Sequence, residues 1–257
     1  MRRALPNPFV LYIVAVLVFL YAPILVMMAM SFNRSPLYEL PIQFDLRWFE
    51  ALAHNSRLIR ATTNSIVLAL ANTATATLVG MLAALALNRY EFKGKALLNA
   101  LLVPPIAIPW LILAISMLLL FNFIGLGRSL FSMYVGHVAV SLPYAIFVIT
   151  ARLSGSDPAL EEAAMILGAN PITTFLKVTF PLILPGVIAA ALFSFTVSFD
   201  NFVISYFLAP PGISTLPVEI YSAIRKGFTP EINAIATITF TMSMILVLAA
   251  ARLARFE

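Results

Sequence analysis

The segment Arg152–Pro181, RLSGSDPALEEAAMILGANPITTFLKVTFP, decides how the rest of the chain is read. Long apolar runs bound it on both sides, yet the segment itself carries charges, Gly and Pro in the order that helices require. Asp157 suits an N-cap and Pro158 the first helical position, while Glu161 and Glu162 sit near the positive end of the helix dipole. Leu160, Ala163, Ala164 and Leu167 recur at helical spacing, so one face is apolar. Gly168 suits a helix end, and Asn170-Pro171 caps and starts a second short helix carrying Ile172, Phe175 and Leu176. A capped, amphipathic elbow standing in water between membrane runs predicts a docking surface for another protein. The alternative is an ordinary helical loop.

Composition explains what surrounds the elbow. Of 257 residues, 61% are hydrophobic and 11% charged, and the mean hydropathy is +0.98. Soluble domains carry roughly 25% charged residues, so this is an integral membrane protein. At ~20 residues per span, about six helices with short connections fit the length, and no alternating pattern suggests a β-barrel. The absence of cysteine excludes disulfides and thiol chemistry. His54 and His137 lie far apart in sequence, which argues against a metal site. No basic run is long enough to track nucleic-acid phosphates.

Taken in order, the expected spans are about 9–32, 61–88, 96–123, 130–150, 182–209 and 233–251, within a single transmembrane domain over 1–257 and with the elbow at about 152–181. Met1-Arg2-Arg3 followed by an apolar run reads as an uncleaved first helix with a kink at Pro23. Asp45–Leu52 reads as a short interfacial helix, with Trp48 at the membrane boundary. Asn64, Asn72 and Asn88, with Thr73, Thr75 and Thr77, are expected to hydrogen-bond between helices. Pro104, Pro105 and Pro109 bend or unwind the third span, either as a pathway element or as a static kink. His137, in the fourth span, reads as a hydrogen-bonding residue rather than a proton relay. Asp200 is the only acid inside a span. Arg2, Arg3, Arg89, Lys93, Lys95, Arg152, Lys177, Arg252 and Arg255 outnumber the basic residues of the other side, so that side, with both termini and the elbow, is predicted to be cytoplasmic.

No nucleotide-binding loop is present. The run Arg89–Lys95 lacks both the first glycine and the Ser/Thr of that pattern. The chain therefore has no energy source of its own, no nucleophile triad and no carboxylate pair.

Glu162-Ala163-Ala164, Gly168, Val178 and Phe180-Pro181 resemble, at intact spacing, the EAA loop of permeases of bacterial binding-protein-dependent ABC importers; Val178 and Phe180 replace Ile and Leu. The resemblance extends over nearly the whole chain. Asn64-Ser65, Arg89–Lys95, Ser194–Asp200, Leu216–Ser222 and Thr229–Ala234 resemble the polyamine-type (spermidine/putrescine) members of that family. It implies an all-α membrane protein of six transmembrane helices with the architecture of type I ABC importer permeases. It implies a non-catalytic, multi-pass subunit of the bacterial inner membrane forming half of a translocation pathway. The implied partners are an ATPase dimer that binds ATP and Mg, a second permease subunit (identical or, by the resemblance, different), an extracytoplasmic solute-binding protein, and a small solute. No cofactor, metal or nucleic acid is expected for this chain.

Glu161, Glu162, Ala163, Ala164, Gly168, Asn170, Pro171 and Pro181 are the residues expected at the ATPase contact, with Glu162 facing a basic partner by the resemblance. Phe195, Phe199, Asp200, Asn201 and Pro105 are expected along the solute pathway. On a continuous helix Asp200 lies about 27 Å above Leu182, in the outer part of the bilayer. Phe195, Phe199, Phe202 and Tyr206 would then form one aromatic stripe beside it, suited to an amine cation. The stripe could equally pack on a neighbouring helix, with Asp200 paired to a basic residue of the outer loops. The polyamine-type relatives have two adjacent acids where this chain has Asp200-Asn201, which weakens the case for a polycation. Importers of opines, aminophosphonates or ferric ion are the alternative, and a stand-alone secondary transporter is a further one.

Overall fold

The computed structural model describes residues 8–37, 39–227 and 230–253. Arg2, Arg3, Thr229 and Arg255, used in the readings above, lie outside them. The described residues are almost entirely helical. In chain order the helices are α1 (Pro8–Met30), α2 (Arg47–His54), α3 (Ser56–Arg89), α4 (Lys95–Leu101), α5 (Pro104–Ala107), α6 (Trp110–Phe123), α7 (Leu130–Ser154), α8 (Ala159–Ile166), α9 (Pro171–Thr174), α10 (Phe180–Phe199), α11 (Phe202–Leu208), α12 (Leu216–Lys226) and α13 (Glu231–Leu253). A π-helical turn, Phe175–Thr179, joins α9 to α10.

The chain divides into two compact units, Met1–Ile59 with Ile220–Met244, and Arg60–Glu219 with Ile245–Glu257. In the first, α1 is apolar on every side and exposed along its length, as a helix facing hydrocarbon or another subunit must be. The loop after it is held by side chains. Asn33 Oδ1 accepts from Gln43 N at 3.1 Å, and Asn33 Nδ2 donates to Glu39 O at 2.8 Å. Trp48, read as a boundary residue, donates its indole N–H to Asn33 O at 2.7 Å and so staples α2 onto this loop.

In the second unit α7 is the central mast. It contributes to both buried clusters, one including Leu68, Ala114, Met133, Val140, Ile204 and Leu208, the other including Ala84, Ala145, Ile149, Leu153, Ile183 and Ala190. Half of its most apolar window is buried, more than in any other described span-length helix. The predicted interhelical role holds for Asn72, Asn88 and Thr75, whereas Asn64 bonds a loop carbonyl, Thr73 bonds Ala69 O within its own helix, and Thr77 Oγ1 has no partner among the described residues. Asn72 Nδ2 donates to Ser141 Oγ on α7 and to Ser194 O on α10, both at 3.0 Å. Asn88 Nδ2 reaches Ser154 Oγ, Asn64 Nδ2 reaches Ser214 O, and Thr75 pairs with Tyr134. With little hydrophobic drive between helices in lipid, such bonds and close backbone approach supply specificity.

Four helical runs among the described residues are long and apolar enough to cross a membrane: Phe9–Met30, Ser56–Arg89, Leu130–Ser154 and Pro171–Phe199. One expected span is disrupted where its prolines predicted, and another differs from prediction. The run 96–123 is unwound rather than gently bent. Lys95–Ala107 and Trp110–Phe123 meet at 113°, because Pro104 and Pro105 open α5 and Pro109, in extended geometry, precedes α6. Prolines start helices here instead of kinking one. The run 182–209 is also broken, at Asp200-Asn201, and its first arm begins earlier than predicted. The short helix expected after Asn170 runs on through the π turn into α10.

Candidate functional site

The elbow forms as its caps dictate. Asp157 Oδ1 accepts from Ala159 N at 2.9 Å at the start of α8. At its end, Gly168 N bonds Met165 O and Ala169 N bonds Ala164 O, both at 3.0 Å, the paired bonds of a Schellman motif, with Gly168 at φ +91°. Asn170 Oδ1 accepts from Thr173 N at 2.8 Å, and Pro171 takes the first helical position.

Two features of the elbow go beyond the sequence reading. The first is that its two adjacent acids have different fates. Glu161 Oε1 receives Arg89 Nη2 at 2.8 Å, and the same guanidinium reaches Ser156 Oγ at 3.3 Å. Glu161 thus ties α8 to the end of α3, and Glu162 is the carboxylate turned to solvent. The second is the extent of bare apolar surface. Ile166 and Leu167 are 85% and 88% exposed, and Leu160 and Ile172 are exposed with them. Ala163 and Pro171 are exposed as well, whereas Ala164 is half-buried and Pro181 lies in the first turn of α10. A polar-rimmed apolar patch of this kind needs a partner. Arg89–Glu161 and Asn88–Ser154 also bring the end of α3, the end of α7 and the elbow to one end of this unit. In the loop before α7, Arg128 Nε donates to Ala209 O at 2.9 Å, tying that loop to the end of α11.

The second candidate region is the break between α10 and α11. Asp200 caps the end of α10, its N–H on Thr196 O at 3.0 Å, and its side chain is exposed. Asn201 is buried, and its Oδ1 accepts from Ile204 N at 2.9 Å, capping α11. The two residues expected to act side by side are therefore divided: Asp200 offers a carboxylate, while Asn201 turns its Oδ1 to the α11 cap and keeps a buried Nδ2 that no described residue satisfies. The aromatic stripe is likewise two pairs, one on each arm. Phe195 and Phe199 stack at 5.6 Å, with Phe199 buried, and Phe202 and Tyr206 lie at 5.3 Å. Pro105 stands apart on α5, which packs on α7.

The sequence marks His137 as a hydrogen-bonding residue without naming its partners at this break, and it does not show the partner of Arg89 at the elbow. His137, on α7, bonds Ser198 on α10 and Ser205 on α11. Arg89 was visible only as part of a basic turn. Neither contact has a local signature, since each joins residues more than sixty positions apart.

Among the described residues, a nearly all-helical chain with apolar span-length helices, a capped elbow and a broken helix presenting one acid defines a membrane permease. The sequence matches, over residues 76–256, the family described as "Binding-protein-dependent transport system inner membrane component", and the chain belongs to it. It is 36% identical over 244 residues to the spermidine/putrescine transport system permease protein PotC of Escherichia coli (strain K12), covering 95% of this chain and 92% of that protein. To the PotC of Haemophilus influenzae it is 38% identical over 247 residues, covering 96% and 95%. To the putrescine transport system permease protein PotI of E. coli K12 it is 36% identical, covering 86% and 81%. Among solved structures, a bacterial alginate ABC transporter matches with TM-score 0.73 at 21% identity, covering 96% of this chain and 92% of that one. The MetNI methionine ABC transporter matches with TM-score 0.65 at 18% identity, covering 77% and 95%. These likenesses carry the fold. The chain is thus a non-catalytic permease subunit of an ABC importer, an inner membrane component.

Proposed function

We propose that this subunit forms half of the pathway for a polyamine of the spermidine or putrescine class, with Asp200 touching the solute. The observation that carries the reading is the helix break that leaves Asp200 exposed, with the Phe195–Phe199 pair ending one arm and the Phe202–Tyr206 pair opening the other. An acid in hydrocarbon costs about 2.5–3.5 kcal/mol at a helix centre, and less near an edge, so it belongs against water or a cation. Aromatic faces beside a carboxylate suit an amine through cation–π and ionic contacts. The names of the relatives at 36–38% identity point the same way.

The rest of the assembly follows the family. The elbow, through Glu162, Ile166, Leu167 and Ile172, docks on an ATPase that binds ATP and Mg; a second permease subunit completes the pore; an extracytoplasmic binding protein delivers the solute. In this reading the chain makes six crossings, with α4–α6 as the third and α13 as the sixth, and both termini lie in the cytoplasm.

Asp200→Asn tests the solute role, because it keeps the shape and removes the charge. The expected result is a fall in polyamine uptake of tenfold or more, on the order of one lost charged contact, with expression and complex assembly unchanged. Wild-type uptake by this variant would sink the reading, and loss of the assembled complex would make Asp200 structural. A second reading, import of a different small solute, is favoured by Asn201. Its amide is buried in a helix cap, so this chain offers one carboxylate where a polycation could use two. Competition of labelled putrescine uptake by other amines and small acids separates the two.

A further inference from the structure

We infer that His137 is a positioning residue: its imidazole spans the Asp200–Asn201 break, sets the angle between the two arms, and so aims Asp200. The functional half of this inference rests on the reading of Asp200 as a solute contact; the structural half does not.

The backbone at the break leaves the angle open. α10 ends with Asp200 N on Thr196 O, and Asn201 then leaves helical geometry at ψ 101° before α11 begins. Tertiary contacts must therefore fix how the second arm projects. His137 is 1% exposed, and its two ring nitrogens face opposite arms. Nδ1 lies 2.8 Å from Ser198 Oγ, two residues before Asp200, and Nε2 lies 2.9 Å from Ser205 Oγ, in the first turns of α11. Ser198 and Ser205 are buried as well. A neutral imidazole offers one donor and one acceptor, and a hydroxyl can be either, so both contacts are satisfied in either tautomer. The ring has no internal torsion between its nitrogens. It acts as a rigid spacer of fixed length between the arms.

The residue beside it strengthens the seat. A Cβ on Gly136 would come within 2.6 Å of Leu208 Cδ1 and 2.8 Å of Ile204 Cγ2. α11 therefore lies against the bare backbone of α7 immediately next to the imidazole. Gly136 and His137 hold α11 by contact and by hydrogen bond on one turn of one helix, and the same histidine holds the end of α10. Asp200 stands between the two anchored serines.

The test uses the assembled importer in lipid, with this chain's lack of native cysteine as the advantage. Spin labels at Ala189→Cys on α10 and Tyr206→Cys on α11, in chains used only for distance measurement, report the angle between the arms. His137→Phe keeps a planar ring and removes both bonds; Ser205→Ala removes the α11 bond alone. Both are expected to shift or broaden the distance distribution, and His137→Gln, which retains a donor and an acceptor, to restore much of it. In unlabelled chains His137→Phe is expected to lower polyamine uptake about tenfold, the factor that loss of two neutral hydrogen bonds supports. ATP hydrolysis by the complex should be retained, a split that general loss of structure would not produce. An unchanged distance distribution in Ser205→Ala and in His137→Phe overturns the inference, and if His137→Phe does not assemble, Ser205→Ala alone decides. A changed distribution with uptake and ATP hydrolysis falling together overturns the positioning role. Wild-type uptake by Asp200→Asn would instead defeat the solute reading, and the label distances do not depend on it.

Discussion

At the scale of single residues, Gly168 separates conformational from steric demands. Its φ of +91° lies in the region that L side chains rarely adopt, yet a Cβ there would meet nothing within 4 Å. Any loss on substitution is therefore backbone strain, of about 1–2 kcal/mol for an ordinary residue and less for Asn, which tolerates positive φ better. The strain falls on the turn between α8 and Asn170, where the exposed side chains of Ile166 and Leu167 are displayed. Gly168→Asn is expected to retain more ATPase copurification than Gly168→Ala, and both more than Gly168→Val, whose β-branch is least compatible. Equal copurification across the series would mean that the turn's geometry does not matter to docking.

At the scale of elements, the Arg89–Glu161 pair makes α3 and α8 one mechanical piece. α3, at 34 residues, is about 51 Å long, far more than the ~30 Å hydrocarbon core requires. Its surplus length carries Arg89 out to the elbow. The pair is about one-fifth exposed on both sides, so it is less screened than a surface bridge, and a charged hydrogen bond of this kind contributes about 1.5–3 kcal/mol. Arg89→Ala is expected to loosen α8 and lower uptake more than ATP hydrolysis, as an uncoupled push would. The exchange Arg89→Glu with Glu161→Arg should recover part of the loss, and amide exchange in α8 reports the loosening directly. No added exchange in Arg89→Ala would show that α8 is held by its other contacts. This scale also marks where sequence was legible. Caps and stops were read correctly because their chemistry is local: Asp157, Gly168 and Asn170-Pro171 each act within four residues. The break at Asp200 was not, because Asn201 as a helix cap looks the same as an asparagine lining a pathway, and the apolar run continues on both sides. The disruption at Pro104, Pro105 and Pro109 was legible because proline acts locally, but its 113° magnitude was not, since no local pattern encodes an angle of that size.

At the scale of the whole molecule, exposure in the isolated chain does not distinguish water from lipid, and this decides what a pathway prediction must compare. Phe19 on α1 is 79% exposed, and Thr196 and Asp200 at the end of α10 are exposed too. For α1, apolar on all faces, that surface belongs against hydrocarbon or another subunit, since bare apolar helices of this length are not stable in water. At Asp200, an exposed carboxylate calls for water or a cation. A charged, membrane-impermeant thiol reagent tells them apart, because the chain has no native cysteine to confuse the signal. Cysteines at Thr196 and at Pro105, on the broken third run, are expected to react, with rates that change when ATP is added to the assembled importer. Cysteine at Phe19 is expected to stay inert in both conditions despite its greater exposure. Reaction at Phe19 as fast as at Thr196 would place α1 in the aqueous route. Inert cysteines at both Thr196 and Pro105, with and without ATP, would remove these two broken helices from it. Reaction at Thr196 alone would confine the route to the α10–α11 break and leave the reversal at Pro109 as a packing device against α7.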